Sequence, residues 1–274
     1  MQLKNTNHNG FSLIELMLAM AIFVIVLPLI YEAFRNQQKA YTSQQLTVAM
    51  QQNARAAMTL MKRELRMAGF APAATDGQDN DGDSDTDEAD GDYPGGFPGF
   101  VVADDDTVQF TRDSMPDPDF CIDGDDNDGD TDIDELDECF SDGNTTGFNE
   151  DITYSLSGTT LMRDDANDGN PAQPLAYDIE AVAFGYSADI VPAPTGDDVL
   201  DVDASNNFVF YSTVPLARLG TINAVKIWLL VRTPHPVQKY TDPTPSYQVG
   251  TQNFVPADRG YMRTLLVSTV YCRN

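Results

Sequence analysis

The stretch FSLIELMLAMAIFVIVLPLI, residues 11–30, decides how the rest of this chain is read. Its twenty residues are apolar apart from Ser12 and Glu15, and about twenty helical residues cover the hydrocarbon core of a bilayer. The preceding MQLKNTNHNG, residues 1–10, is polar and carries one Lys. A secretory signal would need small residues at a cleavage site after the apolar run, but Tyr31-Glu32-Ala33-Phe34-Arg35 follows it, so the run is expected to be retained. Glu15 is the misfit. An ionisable group five positions into a membrane helix is costly and by default functional, with a partner to be named.

Outward from this run, the pattern stays helical through residues 32–69. Ala54, Ala57, Met58, Met61, Leu65 and Ala68 fall on one helical face, and Gly69 supplies a stop. A helix from about Phe11 to Ala68 would be about 85 Å long at 1.5 Å per residue, with a bend expected near Pro28. Its first half is apolar and its second amphipathic, which suits packing among like helices followed by packing on a sheet. A long coiled coil is the competing reading, but the heptad is not sustained. Past Gly69, short β-branched and aromatic runs are separated by Gly, Pro, Asn and Asp. Strands are expected at Gly99–Ala103, Thr107–Arg112, Ile152–Leu156, Thr160–Arg163, Asp178–Tyr186, Asn207–Tyr211, Ala224–Arg232 and Tyr261–Tyr271, with a hairpin through Ser157-Gly158. The fold class is α+β: a long N-terminal helix packed on an antiparallel β-sheet, with Asp-rich loop insertions.

The junction Gly10-Phe11-Ser12-Leu13-Ile14-Glu15 resembles the processing motif of type IV prepilins. By position, the resemblance implies that a prepilin peptidase cuts after Gly10, that Phe11 becomes the N-methylated first residue, and that Glu15 pairs with the amino terminus of a neighbouring Phe11. Opposite charges buried together among apolar helices neutralise each other better than either alone. The helix end Gln52–Arg55 with Lys62–Phe70, and the segments Ala224–Thr233 and Tyr261–Asn274, are similar to the PilW-like minor pilins. That likeness implies a minor subunit that helps prime or cap a pilus. Its partners would be other pilins or pseudopilins. It would sit in the inner membrane, with the C-terminal part outside the cytoplasm, and then in a pilus at the cell surface. The division expected is 1–10 leader, 11–31 membrane and filament-core helix, 32–69 amphipathic half, 70–150 loop region and 151–274 sheet region.

The chain has 43 acidic against 16 basic residues, a formal charge of −27, which argues against nucleic-acid binding and for divalent cations. Two runs, DGQDNDGDSDTDEAD (Asp76–Asp90) and DGDDNDGDTDIDELD (Asp123–Asp137), agree at 11 of 15 positions within the acidic stretches 76–92 and 121–139. Asp79, Asp81, Asp83, Asp87 and Asp90 fall at positions one, three, five, nine and twelve of a twelve-residue loop, as do Asp126, Asp128, Asp130, Asp134 and Asp137. Those are the side-chain ligand positions of an EF-hand calcium loop, with the carbonyls of Asp85 and Asp132 at position seven. Ser84 and Thr131 stand where Gly is usual, and Asp where the closing residue is usually Glu. The competing reading is a solvated acidic linker. Against it, so many neighbouring carboxylates repel by about 1 kcal/mol per close pair even in water, a term that a cation reverses in sign. One or two Ca2+ ions are therefore expected.

Three cysteines allow one bridge and three pairings: Cys121–Cys139, Cys121–Cys272 or Cys139–Cys272. Without flanking helices the loops resemble thrombospondin type 3 repeats, in which Cys often brackets the repeat. Cys121 and Cys139 bracket the second loop, and this likeness implies their pairing. No Ser/His/Asp grouping, phosphate loop or metalloprotease spacing appears, so an enzyme is not expected. The alternatives to a pilus subunit are a type II secretion pseudopilin and a calcium-dependent tip adhesin.

Overall fold

The computed structural model describes residues 12–69, 99–112, 150–191 and 199–272. Helix α1 runs Leu13–Leu65, passing through Pro28. Contacts divide the chain into a unit Met1–Val48 and a unit Ala49–Asn274. In the first unit, the described part is helix whose apolar side chains stand exposed, Leu13 at 76% and Phe23 at 62%.

In the second unit the helix buries a stripe made of Met50, Ala54, Ala57, Met58, Met61 and Leu65, with Ala68 in the turn beyond. These are the residues that helical spacing selects, because i, i+3, i+4 and i+7 share a face. They join one core with two antiparallel sheets. The first sheet orders β1 (Phe100–Ala103), β2 (Val108–Thr111), β3 (Asp151–Ser157), β4 (Thr160–Asp165) and β5 (Gln173–Tyr177) in chain sequence. Gly158, at φ 62°, makes the β3–β4 turn, a conformation L side chains rarely adopt. The second sheet places β7 (Ala224–Arg232) between β10 (Arg263–Tyr271) and β6 (Ile179–Ser187).

Strand β7 shows why this centre is stable. Val225, Ile227, Leu229 and Val231 are fully buried in the main core, while Leu230 and Trp228 on the opposite face pack with Ala183 and Val249 in a second, smaller cluster. A strand covered on both faces reads as a nearly continuous apolar run, and AVKIWLLVR does. The cover on the second face is the hairpin of β8 (Tyr247–Val249) and β9 (Gln252–Phe254). Gly250 closes it at φ 60°, and a Cβ there would lie 2.7 Å from the Cβ of Ala183.

The expected strands correspond to β1, β2, β3, β4, β6, β7 and β10, with ends moved by one or two residues. Asn207–Tyr211 differs: it forms isolated bridges, Tyr186 with Tyr211 and Val202 with Phe208. Strands β5, β8 and β9, and a 3₁₀ turn at Leu216–Thr221, were not expected from the pattern.

Candidate functional site: the exposed apolar helix and its first turn

Ser12 immediately precedes α1, and its backbone N–H donates to Oε2 of Glu15 at 3.0 Å. Its carbonyl accepts from the N–H groups of Glu15 (3.1 Å) and Leu16 (3.2 Å). Ser-x-x-Glu at the first four positions is the sequence of a capping box, in which the third-position carboxylate satisfies an orphan N–H of the first turn. The negative group also sits at the positive end of the helix dipole. Ser12-Leu13-Ile14-Glu15 carries this capping signal in the sequence itself. Within the described chain Glu15 is exposed and engaged with its own helix start.

From Glu15 to Tyr31 no other charge occurs, and α1 is long and apolar enough to cross a membrane. Ala19, Met20, Phe23 and Val24 line an open apolar groove of about 280 Å³ on this stretch. Small residues beside large ones give a neighbouring helix a place to seat a side chain at close range.

In the second unit, buried charges fix the helix end to the first sheet. Glu64 is buried and accepts from the hydroxyl of Tyr154 and from Nε of Arg163, 3.2 Å to its Oε2. Burial first, then the nearby Glu64 carboxylate, push the Tyr154 phenol well above its ordinary range. Burial alone would lower the Arg163 pKa, but the hydrogen bond and charge of Glu64 outweigh it and the net shift is upward. A second cluster pins the loop before β10. Arg263 donates to Glu180 through Nη2 at 3.0 Å and to Asp242 through Nη1 at 3.2 Å, and Arg232 reaches Glu180 at 3.2 Å. Burial opposes charge on Asp242, yet the N–H of Thr244, the hydroxyl of Tyr247 and Arg263 hold its carboxyl below the usual range. Trp228 lies in the smaller sheet cluster, with the ammonium of Lys226 5.1 Å from its ring and 5.3 Å from that of Phe210.

Of the residues singled out in the sequence, Glu15 is described. Gly10, Phe11, the ten loop aspartates Asp79, Asp81, Asp83, Asp87, Asp90, Asp126, Asp128, Asp130, Asp134 and Asp137, and Cys121 and Cys139 lie outside the described residues. Among the described residues no group of three or more His, Cys, Asp or Glu side chains is arranged to hold a metal. Among the described residues Cys272 has no disulfide partner; it is partly buried, and burial raises its thiol to about 12.

Residues 5–27 match the family described as the prokaryotic N-terminal methylation motif, and residues 145–274 match the family described as type IV pilus-assembly protein W. No curated protein matches the chain. Among solved structures, a type IV-like pilin from Thermus thermophilus is similar, at 12% identity over 82% of this chain and 97% of that one, with a TM-score of 0.40. Both matches are to families of the type IV pilin-like class, one at the start of α1 and one over the C-terminal sheets. Within that class, the W-type match covers β3 to β10 and the methylation match covers the first turns of α1.

Proposed function

We propose that this chain is a minor type IV pilin, cut after Gly10 by a prepilin peptidase, methylated on Phe11, and incorporated into a pilus or into the complex that primes one. The observation that carries the reading is the coincidence of the methylation match at 5–27 with a fully exposed apolar helix that holds one acid. About twenty exposed apolar side chains require a bilayer or other helices around them. Before assembly the inner membrane supplies that environment, with the C-terminal unit outside the cytoplasm. Afterwards the α1 segments of neighbouring pilins do. Glu15 then exchanges its intrachain bond with the Ser12 N–H for the methylated amino terminus of the next subunit, where both partners of the contact carry charge.

The Asp-rich runs fit calcium by the chemistry of their donors, since hard cations take six to eight oxygen ligands and alternating aspartates present them from one loop. In this reading Asp79, Asp81, Asp83, Asp87 and Asp90, and Asp126, Asp128, Asp130, Asp134 and Asp137, each hold one ion. A bridge between Cys121 and Cys139 shortens the second loop's unfolded ensemble. The role of the ions is structural, at extracellular affinities of roughly 10⁻⁴–10⁻³ M.

The test is Glu15→Ala in the producing cell. The variant is expected in the membrane fraction at normal level and strongly depleted from sheared pili. Recovery in sheared pili at the wild-type ratio would remove the docking role of Glu15.

A further inference from the structure

The described sheets end in four long-sheet edges, and three of them are guarded. Strand β1 has four residues and a register break between Phe100 and Val102. Strand β5 carries Pro174 and a break opposite Leu161/Met162. Strand β6 has a break between Ile179 and Ala181, and the bridge from Tyr186 to Tyr211 covers part of it. Short length, proline, bulges and cover are the devices by which proteins keep sheet edges from pairing with other chains.

Strand β10 is neither short nor broken by proline or bulge, and the cover described at it is the Phe208 ring, 6.3 Å from that of Tyr271 at its end. The strand pairs with β7 over nine residues in unbroken register, and after Arg263 it reads TLLVSTVY, with no charge, proline or glycine. Eight of its nine residues are at least partly exposed, Val267 at 48% and Tyr271 at 59%. The direction of its backbone groups follows from the two ends of the ladder. The N–H of Cys272 donates to the carbonyl of Asn223, and the N–H of Thr233 donates to that of Met262, both at 2.9 Å. In an antiparallel pair successive residues alternate between bonding the partner strand and facing away. Even-numbered residues of β10 therefore bond β7, and the N–H and C=O of Leu265, Val267 and Thr269 face the open side. No described residue bonds them.

We infer that the open edge of β10 is a docking site for an extended, uncharged segment of a different pilin-like subunit, which adds as a fourth strand to the β10-β7-β6 sheet. The occupant's chemistry follows from the edge. Outward N–H and C=O groups call for another backbone, and the exposed Val267 and Tyr271 on one face call for apolar and β-branched partners, while Leu265, Leu266 and Val270 pack into the chain's own clusters. A second copy is disfavoured, because two chains of formal charge −27 repel as they approach. The inference rests on the filament reading for the presence of a neighbouring subunit.

The experiment places a photo-crosslinking residue at Val267 of the full-length chain in the producing cell, and in a parallel strain at Leu16. Mass spectrometry of the products is expected to join Val267 to an uncharged segment of another chain that itself begins with a methylation-type apolar helix. Thr269→Pro, which removes an outward N–H and spares the β7 ladder, is expected to lower that yield about tenfold, the worth of about one good hydrogen bond. Thr269→Lys, which leaves the backbone intact and adds an edge charge, is expected to act likewise. Products from Leu16 with none from Val267 would overturn the edge assignment and leave the filament reading standing. No product from either position would overturn both. Capture at Val267 of a second copy, or of this chain's own residues, would overturn the heterologous partner.

Discussion

Removing the carboxylate of Glu64 should loosen the second unit more than any surface change on α1. Glu64 is 4% exposed and is the acceptor for the Tyr154 hydroxyl and the ion-pair partner of Arg163, whose side chain is 17% exposed. In Glu64→Ala the fully buried Tyr154 loses that acceptor, at about 1–3 kcal/mol, and a largely buried cation loses its close anion. Breaking one side of a buried pair costs about 3–5 kcal/mol, and the residual exposure of Arg163 places the total at the lower end, about 3 kcal/mol. For a unit of this size that is a fall in Tm of roughly 6–12 °C. Trp228 is the chain's one tryptophan and lies in the second unit, so its fluorescence reports urea unfolding of the detergent-solubilised full chain. Replacing both charges, as Glu64→Leu with Arg163→Met, should recover the share of the loss that falls on Arg163, because an apolar pair of similar volume often matches a buried ion pair, while the Tyr154 hydroxyl still lacks the Glu64 acceptor. A loss below about 1 kcal/mol for Glu64→Ala, or a double variant less stable than both singles, would refute the reasoning.

Further outcomes concern the C-terminal cluster and the acidic loops. Asp242 has a folded pKa below its unfolded value, so its stabilisation is fully present above the ordinary carboxylate range and lost as pH falls through the folded value. Asp242→Asn should therefore flatten the acid limb of the urea midpoint between about pH 5 and about pH 2. At calcium about tenfold above a site's Kd, each occupied loop that couples to folding should add about 1.4 kcal/mol. Native mass spectrometry should count two ions in the full chain, and Asp126→Ala with Asp128→Ala should leave one. Two ions retained in that variant would remove the second loop from the assignment.

Much of the fold was legible because its periodicities are strong. The stripe Ala54, Ala57, Met58, Met61, Leu65 and Ala68 is buried as the helical spacing requires, and AVKIWLLVR forms the central strand. What escaped did so for physical reasons. Pro174 within QPLAY argues against a strand, and only an edge position accommodates it. Strands β8 and β9 have three residues each and exist because a face of β7 needs cover, a tertiary demand without a local signal. Asn207–Tyr211 has strand-like residues, but it makes isolated bridges in place of a ladder. At the site, Glu15 stands out by its cost in a membrane, and Ser-x-x-Glu is the local signal for its bond to the Ser12 N–H. Glu64 resembled any helical surface glutamate, since Tyr154 and Arg163 lie 90 and 99 residues away in sequence.

The most direct test of the central claim is the intact mass of the chain extracted from membranes of the producing cell, with sequencing of its N-terminal peptide. A chain beginning at Phe11, heavier by one methylene on its amino nitrogen, is the result the account predicts. A chain that still begins at Met1, or one cut beyond Ile30 so that the apolar helix is lost, would contradict it.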